Sequence, residues 1–309
     1  MQLQANPPLT APMPEAGVTL VLGSDSYVGG ALMRHLRRLG RPVCGTTRRR
    51  EAVDSAHMYL DLAGDPAEWA LPPRVAAAIV CAGITKLAAC SSRPRESAAV
   101  NVEAVSALAS RLAAEGAFVV YVSSSQVFDG SAPDRREDEP VSPANEYGRQ
   151  KAEAERRLLA LGNRVAVVRL TRVLGPALQP FTEWTQALQL GRTIEPFEDM
   201  VMAPIPLSCV VTVVELVVHQ RLPGVLHVSG AREVSYADAA RCAARVLNAE
   251  ESLVRPVSAL RSGRHTERVW QHATLSVTRL RSAFGIEPPN VDWTIETLFA
   301  NPSALAGVG

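Results

Sequence analysis

A regular alternation of short apolar runs with helical segments is the feature that most restricts the fold of this chain. Val18–Leu22 is an apolar run that ends at Gly23, and apolar residues then recur at helical spacing from Val28 to Leu39. A buried strand followed by a helix is the repeating unit of a parallel sheet, because the helix carries the chain back to the edge where the strand began. The pattern continues in strands at 42–46, 77–81, 118–122 and 164–170 and in helices at 97–115 and 147–161. The sequence therefore predicts an α/β fold with a doubly wound parallel sheet.

The composition excludes several classes of function. The chain has 309 residues, 47% of them hydrophobic, and a net charge of +1, which gives no reason to expect a nucleic-acid or membrane partner. No apolar stretch reaches the roughly 18 residues of a membrane span. The five cysteines form no Cys-x-x-Cys pair and have no histidine at ligand spacing, so we expect no metal site. Reduced core thiols favour a cytoplasmic protein.

The turn after the first strand is rich in glycine and serine, and it reads Gly23-Ser24-Asp25-Ser26-Tyr27-Val28-Gly29. In a dinucleotide-binding fold, the first glycine makes the tight turn and the last allows close helix–sheet packing, while the helix N-terminus holds the pyrophosphate. Ser26 replaces the middle glycine of this spacing. Because serine is small and its N–H remains available, we expect Ser26, Tyr27 and Val28 to keep the site. The alternative is an ordinary strand-to-helix turn.

A basic turn follows the second predicted strand. Where an enzyme specific for NAD usually carries an acidic residue for the adenine ribose, this chain has Thr46-Thr47-Arg48, and the next acid along the chain is Glu51. An arginine at this point can pair with a 2′-phosphate. Arg48 therefore favours NADP over NAD. The alternative is a basic turn that is exposed to solvent and has no role in cofactor binding.

Tyr147 and Lys151 stand four residues apart on a predicted helix, so their side chains share one face. A nearby cation lowers the pKa of a tyrosine, and we therefore expect Lys151 to make the Tyr147 phenol a usable acid. The run Ser123-Ser124-Ser125 ends the preceding strand and can supply a hydroxyl to the same substrate oxygen. A Tyr-x-x-x-Lys pair by itself is common on helix surfaces, so its meaning depends on the rest of the chain.

With these pieces in order, the chain resembles the extended short-chain dehydrogenase/reductase family, most closely the branch that contains dTDP-4-dehydrorhamnose reductase. The resemblance spans about residues 17 to 300 and is strong up to Lys151. It is carried by the glycine loop and by a set of short motifs: Asp61-Leu62, Cys81-Ala82-Gly83, Asn101-Val102, Ser123-Ser124-Ser125-Gln126-Val127-Phe128-Asp129-Gly130 and Tyr147-Gly148-Arg149-Gln150-Lys151. It implies a Rossmann-type sheet with a smaller, mostly helical C-terminal substrate lobe.

The same resemblance implies roles around the cofactor. Asp61 and Leu62 would lie near the adenine, and Ala82 and Gly83 would line the pyrophosphate and ribose. Asn101 would sit on the long helix behind the cofactor. Each has a structural alternative, since Asp61 could cap the next segment and Asn101 could be a buried polar group of its helix.

The implied reaction is reduction of a keto-sugar by NADPH, with a nucleotide-linked 4-keto-6-deoxy sugar as substrate. Ser124 and Tyr147 would meet the carbonyl oxygen, Tyr147 would donate the proton, and Lys151 would hold the nicotinamide ribose. The alternative for Ser124 is a strand-end turn residue. Three alternatives to the whole reaction stay open: a sugar-nucleotide epimerase, a reductase of another small carbonyl compound, and a non-catalytic dinucleotide-binding regulatory subunit.

The substrate side is less defined by the sequence. We expect Ser125 and Gln126 to contact the substrate. They stand where the related 4,6-dehydratases need an acid pair, which argues against dehydration. Arg172 and Arg192 could contact an anionic substrate such as a sugar diphosphate, or could equally be structural ion-pair partners.

Beyond about residue 172 the alternation loosens. Helical segments appear near 182–190, 236–247, 277–284 and 293–299, with one strand-like run at 225–228. We expect residues 17–172, with a return strand near 224–229, to form the NAD(P)-binding domain, and 173–223 and 230–309 to form the substrate lobe. Residues 1–16, rich in proline, read as a flexible leader.

Apolar positions on the long helix suggest two arrangements. In relatives, the helices that carry Asn101 and Tyr147 often form a homodimer interface. Ala104, Leu108 and Leu112 could serve that purpose here, or they could pack on the chain's own sheet.

Overall fold

The computed structural model of the protein describes residues 17–263 and 269–307, and the expected leader lies outside these ranges. The strands are β1 (Val18–Leu22), β2 (Val43–Thr47), β3 (His57–Tyr59), β4 (Val75–Val80), β5 (Phe118–Ser124), β6 (Val165–Leu170), β7 (Arg172–Leu174), β8 (Val201–Met202), β9 (Pro204–Pro206), β10 (Gly224–Val228) and β11 (Val234–Ser235). The α-helices are α1 (Tyr27–Arg38), α2 (Leu87–Ser92), α3 (Pro94–Ala98), α4 (Val105–Ala114), α5 (Glu146–Leu159), α6 (Phe181–Gln189), α7 (Leu207–Gln220), α8 (Tyr236–Val246), α9 (Ala259–Ser262), α10 (Thr278–Phe284) and α11 (Val291–Ala300).

Seven of the described strands form one sheet in the order β10-β6-β5-β4-β1-β2-β3, and every neighbouring pair is parallel. The order reverses direction at β1, so β1 and β4 flank the crevice where ligands bind in this class of fold. The predicted doubly wound, Rossmann-type sheet is confirmed. The strand expected near 224–229 is β10, and it pairs with β6 at the sheet edge.

The strands are buried on both faces, which explains their nearly continuous apolar sequence. Successive side chains of a strand point to opposite faces. In β1, Val21 packs with α1 and α7 on one side, while Leu20 and Leu22 pack with α4 and α5 on the other. Each face therefore has its own core, and the carboxyl ends of the strands are left to form a site.

Helix α7 has no counterpart in the sequence analysis, and it lies within residues assigned to the substrate lobe. Its buried valines, including Val210, Val213 and Val214, belong to the core cluster that covers the sheet beside α1. The run Leu207–Gln220 is rich in β-branched residues, which are indifferent helix formers, and it is apolar almost all round. Burial decides its structure, and its neighbours place it on the sheet.

The helix predicted at 97–115 is continuous but not uniform. The segment Ala99–Ala104 forms a π-helical turn between α3 and α4. Turns of this kind widen the helix by one residue and are frequent at functional sites. Ala104, Leu108 and Leu112 are buried in the core that α4 shares with the sheet, which is the second of the two arrangements considered for them. A homodimer therefore has no support from these positions.

The smaller lobe has a separate core built mainly from α6, α8 and α11. An aromatic group fixes its centre, where Phe181 stacks on Tyr236 with ring centroids 6.1 Å apart and meets Trp184 edge-on at 5.4 Å. No helix among the described residues has both the length and the apolar character needed to cross a membrane.

The contributions of a core leucine and a surface leucine to stability can be compared directly. Leu108 is 1% exposed and Leu190 is 64% exposed. We expect Leu108→Ala to lower the free energy of unfolding by about 2–5 kcal/mol, because it leaves a cavity beneath the sheet. Leu190→Ala is the matched control and should change it by no more than about 0.5 kcal/mol. Urea unfolding followed by circular dichroism measures both, and equal losses would contradict this account of the core.

Candidate active site

The glycine loop adopts a backbone that only glycine fits at its two ends. Gly23 has φ +82°, and a Cβ there would lie 2.7 Å from the Cα of Ala82. A Cβ on Gly29 would lie 2.3 Å from the carbonyl oxygen of Gly23. The loop is therefore folded tightly against the turn after β4, and the first turn of α1 begins close to the sheet.

Ser26 takes a structural part that differs from the expected one. Its hydroxyl caps α1 by accepting the Gly29 N–H at 3.1 Å, while its own N–H donates to the Gly23 carbonyl at 3.0 Å. The Ser26 N–H is thus used within the turn, contrary to the expectation that it stays available. The amides of Tyr27 and Val28 are in the first turn of α1, where the helix itself offers no acceptor. Both residues line the cleft, so the N-terminus of α1 opens onto it.

Tyr27 also connects the glycine loop to the smaller lobe. Its hydroxyl donates to the Pro176 carbonyl oxygen at 3.1 Å. Burial raises the pKa of Tyr27 to about 12, although the Arg172 charge acts in the opposite direction. The phenol therefore stays protonated and keeps this hydrogen bond at physiological pH.

The basic turn after β2 receives a carboxylate that the sequence analysis missed. Asp25, in the glycine loop, accepts a hydrogen bond from the Thr47 hydroxyl at 2.5 Å and from the Arg49 guanidinium at 2.7 Å. The hydrogen bond from Arg49 is the main cause that lowers the pKa of Asp25. Arg48 has an exposed side chain beside this pair. An acid does stand at the turn, but it comes from the loop and is already paired with Arg49.

The motif residues expected near the adenine are placed by local contacts. Asp61 accepts the Ala63 N–H at 3.0 Å, which is the capping geometry considered as its alternative. Leu62 is buried in the core beneath β4. Ala82 lies against Gly23, as described above. None of the three lines the cleft itself.

Asn101 holds the loop after β4 in place. Its side chain, 2% exposed, accepts the Ile84 N–H at 2.7 Å and donates to the Ile84 carbonyl at 2.9 Å and to Gln150 Oε1 at 2.8 Å. A Cβ on Gly83 would lie 2.9 Å from the same Asn101 oxygen. Asn101 is therefore a satisfied buried polar group that fixes Gly83 and joins the loop to α5.

Ser124, Tyr147 and Lys151 come together in a cleft of about 470 Å³ between the carboxyl edge of the sheet and the smaller lobe. Tyr27 and Val28 line the same cleft, so the proposed cofactor loop and the reactive side chains share one space. Ser124 ends β5, and Tyr147 and Lys151 lie one helical turn apart on α5. The convergence that the motifs predicted is thus present in the structure.

The acid–base properties of this group differ from the expectation. Burial raises the pKa of Tyr147 well above its usual value, while the hydrogen bond with Ser124 lowers it. The lowering expected from Lys151 does not prevail, since the ammonium nitrogen lies 5.8 Å from the phenol ring centroid and donates instead to the Val122 carbonyl at 2.9 Å. Burial also lowers the pKa of Lys151 to about 8. Tyr147 is accordingly a neutral phenol that can act as a proton donor.

The start of α5 is docked on the turn that follows β5. Asn145 caps α5 by accepting the Gly148 N–H at 2.8 Å, and its amide donates to Gln126 Oε1 at 2.7 Å. A Cβ on Gly148 would lie 2.1 Å from the Gln126 carbonyl oxygen. This contact sets Tyr147 beside Ser124. The sequence analysis missed Asn145, although an asparagine directly before a helical run is a capping signal.

The two candidate substrate arginines are in different places. Arg172 lines the cleft, donates to the Gln179 carbonyl at 3.0 Å and lies with its guanidinium 5.7 Å from the Phe181 ring centroid. Its Nε is buried and has no hydrogen-bond partner among the described residues. Arg192 is exposed after α6 and is outside the lining of the cleft.

Side chains from both sides complete the cleft. Ser125 and Gln126 line the sheet side, as expected. Tyr236 and Trp270 face them from the smaller lobe. The sequence analysis missed both aromatics, because nothing in the alternation of strands and helices brings the later segments to this edge.

Comparison with known proteins gives the chain a family. Residues 18–302 match the family described as RmlD substrate binding domain. Methionine adenosyltransferase 2 subunit beta of Xenopus tropicalis is 35% identical over 162 residues, which are 50% of this chain and 47% of that protein. The match thus spans about half the length of that relative. dTDP-4-dehydrorhamnose reductase of Mycolicibacterium smegmatis is 30% identical over 221 residues, 70% of this chain and 66% of that one.

Solved structures share the fold over nearly the whole chain. dTDP-4-dehydrorhamnose reductase from Bacillus anthracis, in complex with NADP, has a TM-score of 0.79 at 21% identity and covers 92% of this chain and 99% of its own. MoeE5 in complex with UDP-glucose and NAD has a TM-score of 0.76 at 22% identity, covering 92% and 97%. The family match extends from β1 to the segment after α11, and the motif-based resemblance is confirmed: the chain belongs to the RmlD substrate binding domain family.

Proposed function

We propose that the chain is an NADPH-dependent reductase of a nucleotide-linked keto-sugar of the 4-keto-6-deoxy type. The observation that carries this proposal is the convergence of Ser124, Tyr147 and Lys151 with the N-terminus of α1 in one cleft. The family supports an oxidoreductase, since a relative and a structural neighbour are dTDP-4-dehydrorhamnose reductases.

The loop geometry fits a dinucleotide. The missing side chain of Gly23 lets the loop lie against the turn after β4, and that of Gly29 lets α1 begin against the loop. The first-turn amides of Tyr27 and Val28 can then receive the pyrophosphate. The turns after β3 and β4 would border the adenine, the ribose and the nicotinamide of the cofactor. The residues that shape these turns are Asp61, Ala82, Gly83 and Asn101. Bound there, NADPH supplies the hydride.

The side chains of the protein handle the proton and the developing charge. The hydroxyls of Ser124 and Tyr147 would donate hydrogen bonds to the substrate carbonyl oxygen, and these bonds strengthen as negative charge grows on that oxygen. Tyr147, neutral because it is buried, would give up its proton. The Lys151 ammonium would then stabilise the phenolate and hold the nicotinamide ribose.

The substrate would lie between the sheet edge and the smaller lobe. Arg172 lines the cleft, and its buried Nε has no hydrogen-bond partner in the part of the chain that the structure describes, so its guanidinium suits an anionic diphosphate. Ser125 and Gln126 would contact the sugar. Arg192 is exposed and outside the cleft lining, so we assign it no substrate role.

A second candidate is a dinucleotide-binding subunit without turnover of its own. The 35% identity over half the chain to a protein that is a subunit of methionine adenosyltransferase favours it. The complete set of Ser124, Tyr147 and Lys151 favours the enzyme, because a binding subunit has no need of all three. An epimerase would hold its nicotinamide cofactor tightly through purification, so an absorbance scan of the pure protein distinguishes that case.

Replacing Tyr147 with phenylalanine tests the proton donor. We expect Tyr147→Phe to reduce turnover of a keto-sugar nucleotide about 10²–10⁴-fold while leaving the NADPH dissociation constant nearly unchanged, since it removes only the hydroxyl. Tyr59→Phe is the matched control, because Tyr59 packs on Arg50 away from the cleft. Steady-state assays and calorimetric titration give the two quantities, and full activity in Tyr147→Phe would refute this role.

Replacing Arg48 with alanine tests the cofactor preference. A charge-assisted hydrogen bond to the 2′-phosphate contributes about 1.5–3 kcal/mol, so Arg48→Ala should weaken NADPH binding about 10–100-fold and leave NADH binding unaltered. Arg50→Ala is the control from the same turn, because Arg50 lies over the Tyr59 ring at 4.1 Å. Calorimetric titration gives the dissociation constant of each cofactor. An equal loss of affinity for NADPH and NADH would contradict the preference for NADPH.

The pH dependence follows from Lys151. Its ammonium form is present below the pKa of about 8 and is lost as the pH rises through that value. We therefore expect kcat/KM for reduction to be constant at lower pH and to fall above about 8. In Lys151→Arg, the remaining activity should lack this fall because the guanidinium keeps its proton. Initial rates from pH 6 to about 10 test it, and a native profile without the fall would contradict the assignment.

A further inference from the structure

A buried ion pair lies directly beneath the reactive side chains. Glu155 is 2% exposed and lies on α5 one turn after Lys151, and Arg169 is 3% exposed on β6. The carboxylate accepts hydrogen bonds from Arg169 Nη2 at 2.7 Å and Nε at 3.1 Å, and from the Ser123 hydroxyl at 2.5 Å. Ser123 is the neighbour of Ser124, so this carboxylate is tied to the strand end that carries the reactive hydroxyl.

His227 completes the pair from the return strand without adding charge. It is fully buried on β10, and its Nε2 lies 3.2 Å from Arg169 Nη1. Arginine can only donate, so Nε2 accepts, and Nδ1 carries the proton and donates to the Ser276 carbonyl at 3.2 Å. Burial, with the Arg169 charge, lowers the pKa of His227 to about 3. His227 is therefore neutral, and Glu137 at 3.9 Å from Nδ1 faces an uncharged ring.

Among the described residues, the other titratable groups that face Lys151 are two phenols and two thiols. Its ammonium lies 4.3 Å from the Tyr121 ring centroid, and burial raises the pKa values of Tyr121, Tyr147 and Cys81. The Cys90 thiol also lies near. Among the described residues, Glu155 is therefore the carboxylate that acts on Lys151, one turn away on the same helix, while it is paired with Arg169 on the sheet.

We propose that Glu155 is a positioning residue of this site, whose carboxylate, paired with Arg169 and one helical turn from Lys151, keeps the lysine in its ammonium form and holds the strand end that carries Ser124. Burial of an amine without a nearby anion drives it to the neutral form, because the charged form loses its hydration. The i,i+4 spacing places Glu155 on the same helix face as Lys151. The use of the ammonium in catalysis rests on the proposed function, but its dependence on Glu155 does not.

The composition makes a direct measurement practical. The chain has only two lysines, Lys86 and Lys151, among its 32 basic residues. Protein grown with ¹³C-labelled lysine will therefore show two side-chain Cε resonances, and Lys86→Arg assigns them. Titration of the Lys151 signal, without any cofactor or substrate, gives the pKa of Lys151. Near-UV circular dichroism at each pH shows whether the chain is still folded.

Two substitutions should move the Lys151 pKa in opposite directions. Glu155→Gln removes the anion and leaves two cations, so the Lys151 pKa should fall by about one pH unit or more. Arg169→Gln removes the competing cation, so the Lys151 pKa should rise. A general loosening of the fold cannot lower the Lys151 pKa in one variant and raise it in the other. Glu153→Gln is the matched control, because Glu153 lies on the same helix but pairs with Arg156 and Arg157 at the surface, and it should leave the Lys151 titration unchanged.

The outcomes are distinct. An unchanged Lys151 pKa in folded Glu155→Gln overturns the proposal, and so does a lower Lys151 pKa in folded Arg169→Gln. The test can be made with either variant, provided that it folds. If the protein proves to be a reductase, the fall of kcat/KM above neutral pH should move to lower pH in Glu155→Gln. Absence of turnover in the native chain would count against the proposed function alone, because the lysine titration needs no substrate.

Discussion

The close approach of α5 to the end of β5 is the contact on which the site depends. A glycine at 148 lets the helix begin against the Gln126 carbonyl, where any Cβ would lie 2.1 Å from that oxygen. Asn145 secures the approach by capping the helix and binding the Gln126 side chain. Because Ser124 is on the strand and Tyr147 is on the helix, this single docking contact brings their hydroxyls together. The deeper Glu155–Arg169 pair then fixes the same helix to the next strand.

Most of the sheet could be predicted from the sequence because parallel strands buried on both faces have to be apolar throughout. The failures have physical causes. Helix α7 is built from residues such as Val213 and Val214 that carry no helical signal, and its structure is decided by tertiary burial. The π-helical turn at Ala99–Ala104 contains Asn101, whose side chain bonds to the loop after β4, and sequence periodicity does not reveal this contact.

The candidate site was predictable where motifs carry the chemistry, as for Ser124, Tyr147 and Lys151. It was not predictable where two turns meet in space, as Asp25 meets Arg49, because the contact joins segments that the sequence keeps 24 residues apart. The protonation state was also beyond the sequence. A charge four residues away suggests a lowered phenol pKa, but the degree of burial decides the sign, and burial is a property of the folded chain.

Tyr27 gives the molecule a mechanical link between its two parts. Its amide is in the first turn of α1, and its hydroxyl is bonded to the Pro176 carbonyl in the smaller lobe. A rotation of that lobe has to carry the bond with it or break it. The orientation of the smaller lobe is therefore coupled to the position of the α1 N-terminus. A ligand that stabilises one arrangement of the lobe also stabilises the matching position of the helix end.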